Sequence, residues 1–165
     1  MRVYFPVQWP ILHTLQETGE LTGPAPGFAV TPALREWYLD ENDEELEYAA
    51  FTEAVRACLE LLSDPELPRR RVVLAADIDE KQSRPEPDRG QAAVRVDGVV
   101  PIDRIAAIHV DASNDEKLVA AIEVALGAWD AAQNGDDDAQ ALVDDVEGFD
   151  LQWYATSELP SLLES

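Results

Sequence analysis

Two pairs of polar residues could supply ligands for a metal ion. Asp77 and Asp79 directly follow one apolar run of the sequence, and His109 and Asp111 close a second run. Residues two apart on a strand point to the same face of a sheet, so the members of each pair can converge. If the two runs are parallel neighbours, one imidazole and three carboxylates meet at one sheet edge, which suits Mg²⁺, Mn²⁺ or Zn²⁺. In the alternative interpretation, which the sequence favours, these residues only mark where buried strands reach water.

Two pairs of adjacent aromatic residues are candidates for a binding surface. They are Trp37 with Tyr38 and Trp153 with Tyr154. Large rings bury well, so the alternative is that half of each pair lies in the core. Nucleophilic catalysis has little support, because the single cysteine, Cys58, falls on the apolar side of a predicted helix and no nucleophile elbow or phosphate-binding loop occurs. The sequence therefore favours a non-catalytic role over an enzyme.

The elements that must position these residues are strands and helices of one domain, residues 1–165. The continuous apolar runs Val72–Ala76 and Ile105–Val110 are typical of strands covered on both faces. The stripe of Leu and Ala within Asp43–Ser63 predicts a long helix that packs on the same sheet. Strands and helices alternate at first, then three strands come nearly together. This order indicates an α+β (or α/β) fold with a mixed β-sheet of about five or six strands packed against helices.

Local signals predict further turns and boundaries. Asp97-Gly98 predicts a hairpin turn, and the proline- and glycine-rich segment 23–27 predicts a loop. Ser113 with Glu116 three residues later fits a capping box at the start of a helix. The polar segment of about 79–91, which holds two prolines, predicts a mobile loop.

Four segments of the sequence resemble a family of uncharacterised actinobacterial proteins, a domain of unknown function. They lie in the same order as in the family: Met1–Tyr4, Ala29–Tyr38, Glu44–Ala50 and Trp153–Pro160. The resemblance implies a cytoplasmic, single-domain actinobacterial protein. It assigns no activity and no functional residue.

Charge limits the partners that the chain can have. The 165 residues include 34 Asp and Glu against 12 Lys and Arg, which gives a net charge of −22. Such a field repels phosphate backbones and anionic lipids, so nucleic acid and membrane surfaces are not expected as partners. The opening segment does not have the pattern of a signal peptide, and a single cysteine fits a reducing cytoplasm.

Three hypotheses follow. The favoured one is a non-catalytic binding or regulatory module that acts through a protein or small-ligand surface, with exposed acidic helices that would steer a basic partner. The second is a metal-dependent enzyme of the hydrolase type that uses the four strand-end residues. The third is a nucleic-acid mimic whose carboxylates bind a basic protein. No cofactor is predicted, and only the second hypothesis involves a divalent metal.

Overall fold

A seven-stranded antiparallel sheet forms the centre of the protein in the computed structural model, which describes residues 1–38 and 42–165. Within these residues the strands are β1 (Arg2–Val7), β2 (Glu20–Thr22), β3 (Ala25–Ala29), β4 (Val72–Asp77), β5 (Ser83–Pro85), β6 (Ala93–Val96), β7 (Val99–Pro101), β8 (Ile105–Val110) and β9 (Gln152–Tyr154). The helices are α1 (Trp9–Thr18), α2 (Pro32–Trp37), α3 (Asp43–Ala57), α4 (Glu116–Gln133), α5 (Asp137–Asp144) and α6 (Leu159–Leu163).

The strand order in the large sheet is β5-β6-β3-β1-β4-β8-β9, and β2 pairs with β7 in a separate small sheet. The predicted α+β class is confirmed. Every pairing among the described residues is antiparallel, so the sheet is not mixed in strand direction. It also has more strands than expected, because β5 lies inside the segment predicted to be a loop.

Both faces of the large sheet are covered, which explains why β4 and β8 are apolar runs. On one face Val3, Phe5 and Leu74 pack in one cluster with α1, α6 and the small sheet. On the other face Val73 and Ala75 pack in a second cluster with α2 and α3. The predicted positions of both apolar runs inside one sheet are therefore confirmed.

Helix α3 lies across the second face, as its apolar stripe predicts. Leu46, Ala50 and Ala54 are spaced four apart and are buried against the sheet. The helix ends at Ala57, earlier than the predicted Ser63, because the chain tightens into a 3₁₀ turn at Glu60–Leu62. That turn directs Leu59 and Leu62 into a third apolar cluster, which α4 and α5 complete.

Two predicted boundaries are wrong. The cap of α4 is Asp115, whose carboxylate accepts a hydrogen bond from the Leu118 N–H at 3.1 Å, and not Ser113. Asn114 has a φ of 61°, in the left-handed region, so the helix cannot begin before it. Residues 25–27, predicted as loop, belong to β3 because Gly27 lets this strand lie against β1. A Cβ at Gly27 would be 2.6 Å from Cγ1 of Val3.

The hairpin predicted at Asp97-Gly98 is wrong. The two residues form a turn, but the strands before and after it, β6 and β7, do not pair with each other. Gly98 has a φ of 79°, as a tight turn requires. However, β6 lies between β3 and β5 in the large sheet, so β7 pairs with β2 instead.

The segment 79–91 contains two 3₁₀ turns, Glu80–Gln82 and Pro87–Arg89, on either side of β5. Strand β5 pairs with β6 at the edge of the large sheet. The mobility of this segment stays a prediction.

No helix in the described part of the chain is both long and apolar enough to cross a membrane.

Candidate functional site

The four strand-end residues do not come together. Strands β4 and β8 are neighbours, but they run antiparallel, with His109 opposite Val73. Asp77 lies four residues farther along β4, roughly 13 Å away along the strand. Among residues 1–38 and 42–165, no group of three or more His, Cys, Asp or Glu side chains could hold a metal ion.

The two carboxylates after β4 have local partners. Asp77 accepts a hydrogen bond from Nε of Arg2 at 2.8 Å, and this bond lowers the pKa of the Asp77 carboxyl. Oδ1 of Asp79 accepts from the Lys81 N–H at 3.0 Å and caps a 3₁₀ turn. Both residues therefore have a structural explanation that needs no metal.

Asp111 forms a fully buried ion pair with Arg71. Its Oδ2 accepts from Nε and from the backbone N–H of Arg71, each at 2.8 Å, and its Oδ1 accepts from Nη2 at 2.8 Å. Both side chains are at most 1% exposed. This pair joins the start of β4 to the end of β8. Asp111, a candidate metal ligand in the sequence, therefore has a structural role in the ion pair.

His109 contacts an aromatic ring rather than a carboxylate. Its ring centroid lies 4.7 Å from that of Phe51 on α3. Burial is the main cause that lowers the pKa of His109, and the nearby Arg2 charge adds to it. The imidazole is therefore neutral near pH 7 and acts as part of an apolar contact.

An aromatic surface lies beside this contact. We define it by Tyr38, Tyr48, Phe51, His109 and Trp153. Trp153 is opposite His109 in the β8–β9 register, so the two side chains share a face of the sheet. Tyr48 lies one helical turn before Phe51 on α3.

Three rings of the aromatic surface, those of Tyr38, Tyr48 and Trp153, are exposed, whereas Phe51 and His109 are half-buried. Tyr48 is 71% exposed and Trp153 is 60% exposed, and both are large apolar groups. Tyr38 and Tyr48 line one hollow of about 320 Å³ on the outer side of α3. Tyr48 and Phe51 line a smaller hollow of about 130 Å³ that continues toward Leu151 and β9.

Of the four aromatic candidates from the sequence, two belong to the aromatic surface: Tyr38 and Trp153. Trp37 is 66% exposed at the end of α2, and Tyr154 is half-buried against the opposite cluster of the sheet. The expectation that half of each pair is core fits only the second pair. Sequence reasoning missed Tyr48 and Phe51, although their spacing of three residues on one helix was a signal.

Carboxylates border the aromatic surface. Glu45 lines the first hollow, and Glu147 and Asp150 line the second. Glu44 and Glu45 also occupy the first turn of α3, where the helix dipole favours negative charge. The cation that lines the first hollow, Arg56, is already bound by Glu147. Glu45 and Asp150 therefore place negative charge beside the rings of Tyr48 and Phe51.

A family model described as a family of unknown function, DUF6912, matches residues 1–163. The chain belongs to this family. No curated protein and no solved structure matches the chain. Membership in the family agrees with the resemblance in the sequence and assigns no activity to the aromatic surface.

Proposed function

We propose that the protein is a non-catalytic binding module that takes a basic segment of a partner protein on its aromatic surface. The observation that carries the proposal is a set of exposed rings bordered by carboxylates. A guanidinium or ammonium group is attracted to the face of an aromatic ring, and carboxylates beside that ring add a charged hydrogen-bond acceptor. Tyr48 with Glu45 offers this combination in one hollow.

The charge of the whole chain supports a basic partner. Eight of the ten arginines form ion pairs with carboxylates of the described residues. With 34 acidic residues in the sequence, most carboxylates have no internal cation to neutralise them. The resulting field raises the association rate of a positively charged partner.

Arginine fits the surface better than lysine. Its planar guanidinium stacks on aromatic faces and binds carboxylates with two parallel hydrogen bonds, whereas the lysine ammonium is a compact, strongly hydrated charge. The preferred partner segment is therefore rich in arginine. The buried thiol of Cys58, the only cysteine, supports placing this interaction in the reducing cytoplasm.

A titration with a short polyarginine peptide at physiological salt tests the proposal. We expect Tyr48→Ala and Trp153→Ala each to weaken binding about two- to fivefold, which is the effect of one exposed cation–aromatic contact. Polylysine of the same length should bind more weakly than polyarginine.

The matched control is Val124→Ala, which removes an exposed apolar side chain of α4 outside the aromatic surface. Its affinity for the peptide should equal that of the unchanged protein. Equal affinities for all three variants would refute the proposal and favour the nucleic-acid mimic, in which carboxylates rather than rings make the contacts.

A further inference from the structure

A cleft lies between α3 and the pair of helices α4 and α5. It shares Val55, Arg56 and Glu147, but none of the rings, with the hollows of the aromatic surface. Its volume is about 390 Å³, within the range typical of small-molecule sites. Most of the wall is apolar and is formed by Val55, Leu59, Trp129, Val143 and Val146. A half-buried tryptophan in such a wall is suited to pack against a flat ring.

The buried guanidinium of Arg71 also lines this cleft. A guanidinium carries five N–H groups. Four hydrogen bonds use them here: Nε and Nη2 donate to Asp111, Nη2 also donates to Phe149 O at 2.7 Å, and Nη1 donates to Val146 O at 3.3 Å. Nη1 makes only one of these hydrogen bonds, so its second N–H can be donated to a ligand. A hydrogen bond from a charged donor to an acceptor on the ligand is stabilising.

The charges around the cleft do not favour an anion. Asp111 neutralises Arg71, and Glu147 binds Arg56 at the rim. Asp144, which also lines the cleft, accepts a hydrogen bond from Gln140 and adds negative charge. The N–H that Arg71 offers is therefore matched by a neutral acceptor and not by a carboxylate or phosphate.

We propose that the cleft binds a neutral planar ring that carries a carbonyl group. The carbonyl oxygen accepts the free N–H of Arg71 Nη1, and the ring packs against Trp129. The ion pair between Arg71 and Asp111 holds the donor in a fixed position, so binding does not require the guanidinium to reorganise.

Three bicyclic probes of similar shape test the proposal: 2-quinolinone, naphthalene and naphthalene-2-carboxylate. The first is neutral and carries a carbonyl, the second has no hydrogen-bond acceptor, and the third is an anion. NMR titration of the isotope-labelled protein follows the Nε–H of Arg71 and the indole N–H of Trp129. We expect 2-quinolinone to shift both signals and to bind about tenfold more tightly than the other two, as one hydrogen bond from a charged donor implies.

Two variants complete the test. Trp129→Ala should weaken 2-quinolinone binding about tenfold or more, because it removes the ring from the wall of the cleft. Trp37→Ala is the matched control, since it removes an exposed tryptophan that lies outside both the cleft and the aromatic surface, and the affinity for 2-quinolinone should not change.

The measurement on the unchanged protein does not depend on how these variants fold. Absence of shifts at Arg71 and Trp129 with 2-quinolinone would overturn the proposal. Equal or tighter binding of naphthalene or of the carboxylate would overturn it as well.

Discussion

At the scale of single residues, the buried ion pair with Arg71 gives Asp111, one of the four candidate metal ligands, a structural role. Asp111→Asn would leave the Arg71 guanidinium buried without a counter-charge, and breaking a buried pair in this way costs about 3–5 kcal/mol. We expect the free energy of unfolding, measured by urea denaturation, to fall by that amount.

The matched control for this substitution is Asp77→Asn, which removes the carboxylate of the exposed pair with Arg2. Exposed pairs contribute about 0–1 kcal/mol, because water screens them. If both variants were equally stable, the buried pair would not have the structural role assigned to it.

Cys58 gives a prediction for alkaline pH. Burial raises the pKa of this thiol from an ordinary value of 9.0 to about 12. The folded protein therefore keeps the thiol protonated where the unfolded chain already releases the proton. Its contribution to stability is full below about pH 9 and is lost as the pH rises toward 12. Urea denaturation near neutral pH and at about pH 10 should show the lower stability at the higher pH.

The control for the alkaline prediction is Cys58→Ala. This variant has no thiol, so its free energy of unfolding should decrease less between the two pH values than that of the unchanged protein. The same decrease in both proteins would assign the pH dependence to other groups.

At the scale of elements, the sequence predicted the central strands of the sheet but not β5, and it did not predict which strands are neighbours. A strand that is covered on both faces reads as a continuous apolar run, and this pattern correctly predicted strands at Val72–Ala76 and Ile105–Val110. Such a run carries no information on strand direction, so the antiparallel pairing of β4 and β8 was not predictable and the strand-end residues were wrongly grouped.

The same limit applies to the aromatic surface. Trp153 and Tyr38 were candidates because adjacent aromatic residues are visible in the sequence. Phe51 contacts His109, whose partner in the β8–β9 register is Trp153, so this arrangement depends on that register and on the packing of α3. Contacts between residues so distant in the chain are set by tertiary structure and not by local pattern.

The close approach of β3 to β1 gives a prediction about Gly27. A methyl group there would lie 2.6 Å from Cγ1 of Val3, in a buried part of the sheet. We expect Gly27→Ala to lower the free energy of unfolding by about 1–3 kcal/mol, which is typical of overpacking. Thermal or urea denaturation measures this change.

Gly127→Ala is the matched control, since Gly127 lies within α4 and a Cβ there meets nothing within 4 Å. Alanine in place of glycine inside a helix should raise the free energy of unfolding by about 0.5–1 kcal/mol. A stable Gly27→Ala variant would contradict the close packing of β3 on β1.

At the scale of the whole molecule, self-repulsion of the net charge of −22 opposes the compact state. Added salt screens this repulsion, with a Debye length of about 10 Å at 0.1 M. We therefore expect the melting temperature to rise with NaCl concentration. A melting temperature that stays flat or falls would mean that the carboxylates are already neutralised by internal pairs or by a specific cation.

The same charge attracts any basic peptide, so affinity alone does not locate the binding site. NMR mapping of a short polyarginine peptide on the isotope-labelled protein at physiological salt locates the binding site. We expect the signals of Tyr48, Phe51 and Trp153 to shift first and to follow one saturation curve. Shifts of equal size spread over the acidic residues of α4 and α5, with none concentrated at these rings, would contradict the proposed function.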